Sequence, residues 1–567
     1  MKTWRTNDHE IRGRWLAAVL IGLLWVVLPW KQAQAAKTSY PEIYLESRDC
    51  RVQLWEFGNT ATFFLPSGFD LDRMTIECGA SVGTVTIDGV SYESGDAVRM
   101  DALEELHTLR YNRVNYDLKI MKSDGLPAVF VTTASGGLEL LHQSKQNKEA
   151  GTFRLYDSTG KLTVSEELEH VKGRGDSTYS QPKKPYQIKF RRRVSLFGMP
   201  AAKRWVLLAN HKEKSLIRNS IVFEAARFLG ERYPIGDQFV DLYMNSQYVG
   251  TYELCEKVEI DSSRINVRDL QKATEAVNDL PLDSYPRYGS YKAAKNTFKG
   301  YQIPNDPFDI TGGYLITLEK AGHYPEDFSG LVTRRSICFI VKSPENLSKA
   351  QGEYLSAWVQ QLEDAIYAKD GCDPETGKHF TELANLDSMA REYLLEEVFK
   401  NYDVNRSSQY IVKPSSAEGG LIYFGPAWDF DLSMGGWCDD ETNNHIASPR
   451  RMLASAGKGW LPSLYKHREF YERVITMYYE EMVPYLLALT GQTADTAVMT
   501  LRQRYEALQA SAAMNFVRWP VLENTKPVNT GTTYEANIAY LNDWLIQRMD
   551  FLDTVWYEDY MTLRMMR

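Results

Sequence analysis

Residues 401–436 read Asn401-Tyr-Asp-Val-Asn-Arg-Ser-Ser-Gln-Tyr-Ile-Val-Lys413, then Gly419-Gly-Leu-Ile-Tyr-Phe424, then Ala427-Trp-Asp-Phe-Asp-Leu-Ser-Met-Gly-Gly436. Gln409 to Val412 and Leu421 to Phe424 are short β-prone runs, and the turn-rich Pro414 to Gly420 lies between them. The pattern predicts a hairpin with acidic residues at its open end. Asp403 enters it; Asp429 and Asp431 leave it. Phosphoryl transfer needs one carboxylate near the attacking oxygen and another on a divalent cation, and a hairpin makes neighbours of residues distant in sequence. The plainer reading is that these aspartates cap loops and turns.

Working upstream, Gly173-Arg-Gly-Asp-Ser-Thr-Tyr179 places two glycines where backbone amides can approach a phosphate. The Arg174-Gly175-Asp176 triplet also spells an adhesion tripeptide, but such triplets arise by chance. Tyr186, Ile188 and Phe190 alternate with Gln187 and Lys189, which predicts a strand carrying Lys189 on the face opposite three apolar side chains. Residues 215–229 read as a helix with Ser215 as its N-cap and Glu224 in its middle. Phe239 to Met244 and Tyr248 to Leu254 flank Asn245-Ser-Gln247, a hairpin leading into Cys255-Glu-Lys-Val258. Residues 351–367 and 386–400 read as helices, the second delivering the chain to Asp403.

These pieces, with Pro182-Lys-Lys-Pro-Tyr-Gln-Ile-Lys-Phe190, Trp205-Val-Leu-Leu-Ala-Asn210, Leu216-Ile-Arg-Asn219 and Tyr248-Val-Gly-Thr-Tyr-Glu-Leu-Cys-Glu256, form an ordered set. The set resembles the CotH family of atypical protein kinases, named after a spore-coat protein, over residues from about 125 to about 555. The resemblance implies an α+β fold with a kinase-like two-lobed domain and C-terminal helices at about 460–555, while residues from about 272 to 312, rich in Asn, Asp, Pro, Tyr and Lys, read as an insertion rather than a core element. It implies ATP and Mg2+ (or Mn2+) as cofactors. Asp403 would be the catalytic residue that orients an acceptor hydroxyl. Lys189 would neutralise the phosphates, steadied by Glu224 and with Lys184 in reserve. Gly173, Arg174, Gly175 and Ser177 would form the phosphate turn, and Glu256 to Val258 the hinge against adenine. Asp429 would bind the metal, with Asp431 as second ligand or orienter. Kinase loops usually carry Asn five residues after the catalytic Asp; here that position is Ser408, with Asn405 close by, and both are metal-site candidates.

The composition sets outer limits. A chain of 567 residues suggests two or three domains. Hydrophobic residues at 44% and charged residues at 25% describe a folded chain rather than a disordered one. Lys2, Arg5, Arg12 and Arg14 precede an apolar run from Trp15 to Trp30, so residues 1–35 are expected to be a signal peptide, an uncleaved anchor being the alternative. Its removal would move the formal charge from -9 to -12, a poor balance for nucleic-acid binding. A secreted or cell-envelope location follows, with a secreted, coat or envelope protein as substrate. Residues 37–122 read as a small β-sandwich-like domain. The six cysteines show no Cys-x-x-Cys spacing, which argues against structural zinc. Cys50 and Cys78 either pair after export or stay as thiols. Two rival functions remain open at this stage, a catalytically silent scaffold on the same fold and a glycoside hydrolase using two carboxylates.

Overall fold

The computed structural model describes residues 38–99, 105–289, 297–320, 328–436, 444–495, 497–524 and 531–566. The expected leader lies outside them. Among the described residues no helix is long and apolar enough to cross a membrane. The fold is mixed α+β with several sheets.

The chain from Thr38 to Lys122 builds a seven-stranded and a four-stranded sheet. Ile43, Leu45, Val52 and Ile76 from the smaller sheet share one core with Phe63, Leu109 and Leu118 from the larger, all fully buried. Alternating side chains from two inner faces make such a core. Cys50 and Cys78 are free thiols. Their strands flank Ile43–Ser47 on opposite sides, with Cys50 opposite Ser47 and Cys78 opposite Ile43. That separation along the strand exceeds the reach of a disulfide.

Seven strands then close into a barrel, in the spatial order Ala128–Thr133, Lys148–Tyr156, Leu162–Gly173, Tyr186–Val194, Ala202–Leu208, Gln247–Glu256 and Asp237–Met244. Closure comes from the parallel pairing of the first strand with the last. Val129, Phe153, Leu168, Ile188, Phe190, Trp205 and Leu254 fill the interior, so the barrel has a packed core rather than a channel. The turn after Met244 uses Asn245 and Ser246 at φ +51 and +68, the two left-handed residues that a tight hairpin requires.

A second seven-stranded sheet runs Arg287–Tyr288, Thr297–Tyr301, Gly330–Val332, Cys338–Ser343, Tyr314–Glu319, Tyr410–Lys413 and Tyr423–Phe424. The hairpin predicted around Pro414 to Gly420 is present, pairing Ile411 with Phe424 and Val412 with Tyr423. Residues 272–312, expected to stand outside the core, instead contribute Thr297–Tyr301 to this sheet. Phe298 packs against the main core and Tyr301 is buried, which holds the strand in place. The helices Lys349–Tyr367, Leu386–Val398, Arg468–Met477, Leu501–Arg518 and Tyr534–Met566 supply most of the rest of that core.

Candidate active site

The sheet and the Leu386–Val398 helix converge on the loop that carries Asp403. Ser408 N–H donates to Leu318 O at 3.1 Å and Leu318 N–H to Gln409 O at 2.9 Å, so the loop's end is stitched to the neighbouring strand. This places the Ser408 hydroxyl 2.8 Å from Asp429 Oδ2, across the hairpin. Burial and the charge of Asp429 push the Asp403 carboxyl above its ordinary range, against the pull of Lys320, Ser407 and Arg406. Asp431 is pushed up to about 8, by burial first and then by Asp429, Glu213 and Asp403. The three aspartates of the motif are therefore within electrostatic reach of one another.

Two buried glutamates one helical turn apart hold both ends of the loop. Glu396 Oε1 accepts from Asn401 Nδ2 at 3.3 Å, and Asn401 Oδ1 accepts from Asp403 N–H at 3.2 Å. Glu392 Oε1 accepts from Gln409 Nε2 at 3.3 Å, and Gln409 Oε1 accepts from Asn405 N–H at 3.1 Å. The i,i+4 spacing on one helix face sets the separation of the two clamps. Burial pushes both carboxyls up, Glu392 to about 7.

The Asp429 segment is cradled by the helix Arg218–Phe228. Asn219 Oδ1 accepts from Phe430 N–H at 2.7 Å, Phe223 stacks on Trp428 at 5.8 Å, and Glu231 Oε1 accepts from Ala427 N–H at 3.0 Å. Arg218 reaches Met434 O at 3.4 Å while buried in an ion pair with Glu213. The Leu216-Ile-Arg-Asn219 motif is thus explained as support for the aspartate segment, a role its spacing alone did not disclose. The helix begins at Arg218, and the Ser215 hydroxyl bonds Glu213 Oε1 at 2.6 Å instead of capping it.

The glycine turn arrives from the barrel. Gly175 has φ +82, and a Cβ on Gly173 would lie 2.2 Å from the Tyr179 ring, so both positions need glycine. Arg174 lies over the Trp428 ring at 5.4 Å, one residue from Asp429. Arg174 also faces Lys342, whose ammonium is pushed down to about 8 by burial and by the charges of Lys257 and Arg174, against the opposing pull of Glu319 and Glu345. Lys172 lies near Lys257 and Arg204. Arg174, Lys342, Lys257 and Lys172 therefore form a cationic wall, partly offset by Glu319, Glu345 and the Glu259 that pairs with Lys257 at 3.1 Å, and the sequence reading identified only Arg174 of it. Lone lysines on strands carry no local signal of such convergence. Ser177 is exposed, with its carbonyl accepting from the Ser180 hydroxyl. Val258 packs with Tyr410 beside Trp428, while Glu256 N–H is used in pairing to Gly236 O at 2.9 Å.

One expected arrangement, the Lys189–Glu224 pair, is corrected, and Lys184 and Asn405 are found with partners of their own. Lys189 does not meet Glu224: it bonds Glu169 Oε1 at 2.7 Å, because Ile188 and Phe190 turn into the barrel and leave Lys189 on its outer face. Glu224 instead pairs with Arg504 at 2.5 Å and accepts from Tyr485 Oη at 3.0 Å. Lys184 donates to Tyr179 O at 2.8 Å and Gln181 O at 3.3 Å, tying down the loop's own carbonyls. Asn405 donates from Nδ2 to Ala454 O at 3.1 Å, so its amide serves the segment 454–460.

A divalent cation fits the donor chemistry. Asp429, Asp431 and the Ser408 hydroxyl are hard oxygen donors, and mutual repulsion among the carboxyls is what a cation relieves. Among the described residues no three His, Cys, Asp or Glu side chains are grouped to hold a metal alone.

The family model described as CotH kinase protein matches residues 171–552, about two thirds of the chain. The chain belongs to this family. No curated protein matches it.

Proposed function

We propose that this member of the CotH kinase protein family is an exported protein kinase, passing the γ-phosphate of ATP to a hydroxyl, of Ser or Thr, on a secreted, coat or envelope protein. The observation that carries the reading is the Ser408–Asp429 bond at the mouth of a hairpin whose other carboxylates, Asp403 and Asp431, sense the same charge. In this reading the barrel with its glycine turn and the helical part with its aspartates play the parts of the two lobes of a kinase.

Asp403 accepts the acceptor's proton as the new oxygen–phosphorus bond forms and the bond to the ADP oxygen breaks. Its upward-shifted carboxyl is suited to that exchange. Arg174 and Lys342 face the phosphates in place of Lys189, whose partner is Glu169. Asp429, Asp431 and Ser408 would hold Mg2+ or Mn2+, which would neutralise the phosphate charge. Trp428, Val258 and Tyr410 offer an apolar surface beside them for the nucleotide base.

The test is phosphate transfer from labelled ATP with magnesium or manganese, scored for self-labelling and for labelling of a serine-rich acceptor, beside Asp429→Asn. Transfer by the parent and none by the variant is the expected result. Absence of both transfer and ATP binding overturns the proposal in favour of a silent scaffold.

A further inference from the structure

Behind the Asp403 loop lies a cavity of about 380 Å3 that none of the three motif aspartates lines. Leu318, Phe339 and Ile411, from three adjacent strands, line it together with Trp460 and Leu461, and the Phe339 and Trp460 rings meet at 5.2 Å. The charged side chains that line it are all cationic: Arg335, Lys458 and Lys466, each exposed. Arg335 is already paired with Glu363 and Asp364. Among the described residues Lys458 and Lys466 show no side-chain hydrogen bond or ion pair. An apolar interior of this volume is in the range of small-molecule sites, and a rim of unpaired cations selects the sign of the ligand's charge.

We infer that this cavity binds a small amphipathic anion, an apolar body against Leu318, Ile337 and Ile411 with a carboxylate at Lys458 and Lys466. The site touches the Asp403 loop from behind. Gln409 and Asn405 both line the cavity, and Gln409 holds the Asn405 backbone at 3.1 Å. Gly459, at φ +153, leaves so little room that a Cβ would stand 2.9 Å from Asn405 Oδ1. Occupancy therefore bears on the residues that set the loop's position. The inference is independent of phosphate transfer, since it concerns binding alone.

The test is calorimetric titration of the full chain with decanoate below its micelle concentration, beside decanol and acetate. Saturable one-to-one decanoate binding is expected, weakened about tenfold in the Lys458→Gln/Lys466→Gln double variant and abolished by Ile337→Trp, which narrows the cavity. Decanol is expected to bind like decanoate to the double variant. No saturable decanoate binding, or equal affinity in parent and double variant, overturns the inference. Both lysines are exposed, so the double variant decides the matter even if Ile337→Trp fails to fold.

Discussion

Ser408 donates its hydroxyl hydrogen to Asp429 Oδ2 across 2.8 Å, and both residues hold left-handed backbone, φ +63 and +70. Two non-glycine residues in that region, facing each other across a hairpin, concentrate strain where the proposed chemistry lies. Ser408→Ala is expected to weaken magnesium-supported ATP binding about tenfold, a loss of about 1.4 kcal/mol for one oxygen donor. Ser408→Asn is expected to retain binding, because Asn tolerates the left-handed region and keeps a donor oxygen. Equal affinity for the alanine variant and the parent would remove Ser408 from the site.

Backbone strain separates two substitutions at Asp429. Both Asp429→Asn and Asp429→Ala are expected to abolish transfer. Only the alanine variant also loses stability, by about 1 kcal/mol, since Ala fits φ +70 less readily than Asn or Asp. Thermal unfolding of the two variants measures the difference.

The clamp at Glu396 acts through Asn401 on Asp403. Glu396→Ala is expected to lower kcat about tenfold with little change in KM for ATP, the signature of a mispositioned acceptor-side group. Glu396→Gln keeps an oxygen to accept from Asn401 and is expected to restore most of the rate. Loss confined to KM would contradict a positioning role.

Lys189 and the cationic wall make opposite predictions. Lys189→Ala removes a surface ion pair worth at most about 1 kcal/mol and is expected to leave ATP affinity unchanged. Arg174→Ala and Lys342→Ala are each expected to weaken it about tenfold or more. Equilibrium binding of ATP to the three variants is the check.

Glu231 makes stability depend on pH. Burial, reinforced by the charge of Glu392 and opposed by the Ala427 N–H, Arg391 and Arg227, pushes its carboxyl up to about 8. A raised carboxyl binds its proton more tightly in the folded state, so its contribution is present at low pH and is lost as pH rises toward 8. Glu231→Gln keeps the acceptor for Ala427 N–H without the titration. Its stability relative to the parent is expected to rise by roughly 2 kcal/mol or more between pH 5 and pH 8. Denaturant unfolding at the two values measures this, and parallel pH profiles would refute it.

The hairpin, its flanking aspartates and the strand of Tyr186–Val194 were legible in the sequence because each rests on local chemistry: turn residues between β-prone runs, and side chains alternating at period two. The same alternation already placed Lys189 opposite Ile188 and Phe190. It did not say what lay beyond that face, and the partner proved to be Glu169 on the adjoining strand. Glu224 was visible as a mid-helix acid, but its direction toward Arg504 and Tyr485 depends on helices more than 250 residues away. The cationic wall, the Glu392 and Glu396 clamps and the cradle at Asn219 were hidden for a related reason, since their members come from separate elements. Residue order by itself determined which segments could turn, pair or coil, and the ordered motifs identified the family. Tertiary packing alone decided which charges meet, because a side chain's partner is set by the face its element buries, and that face is chosen by the whole core.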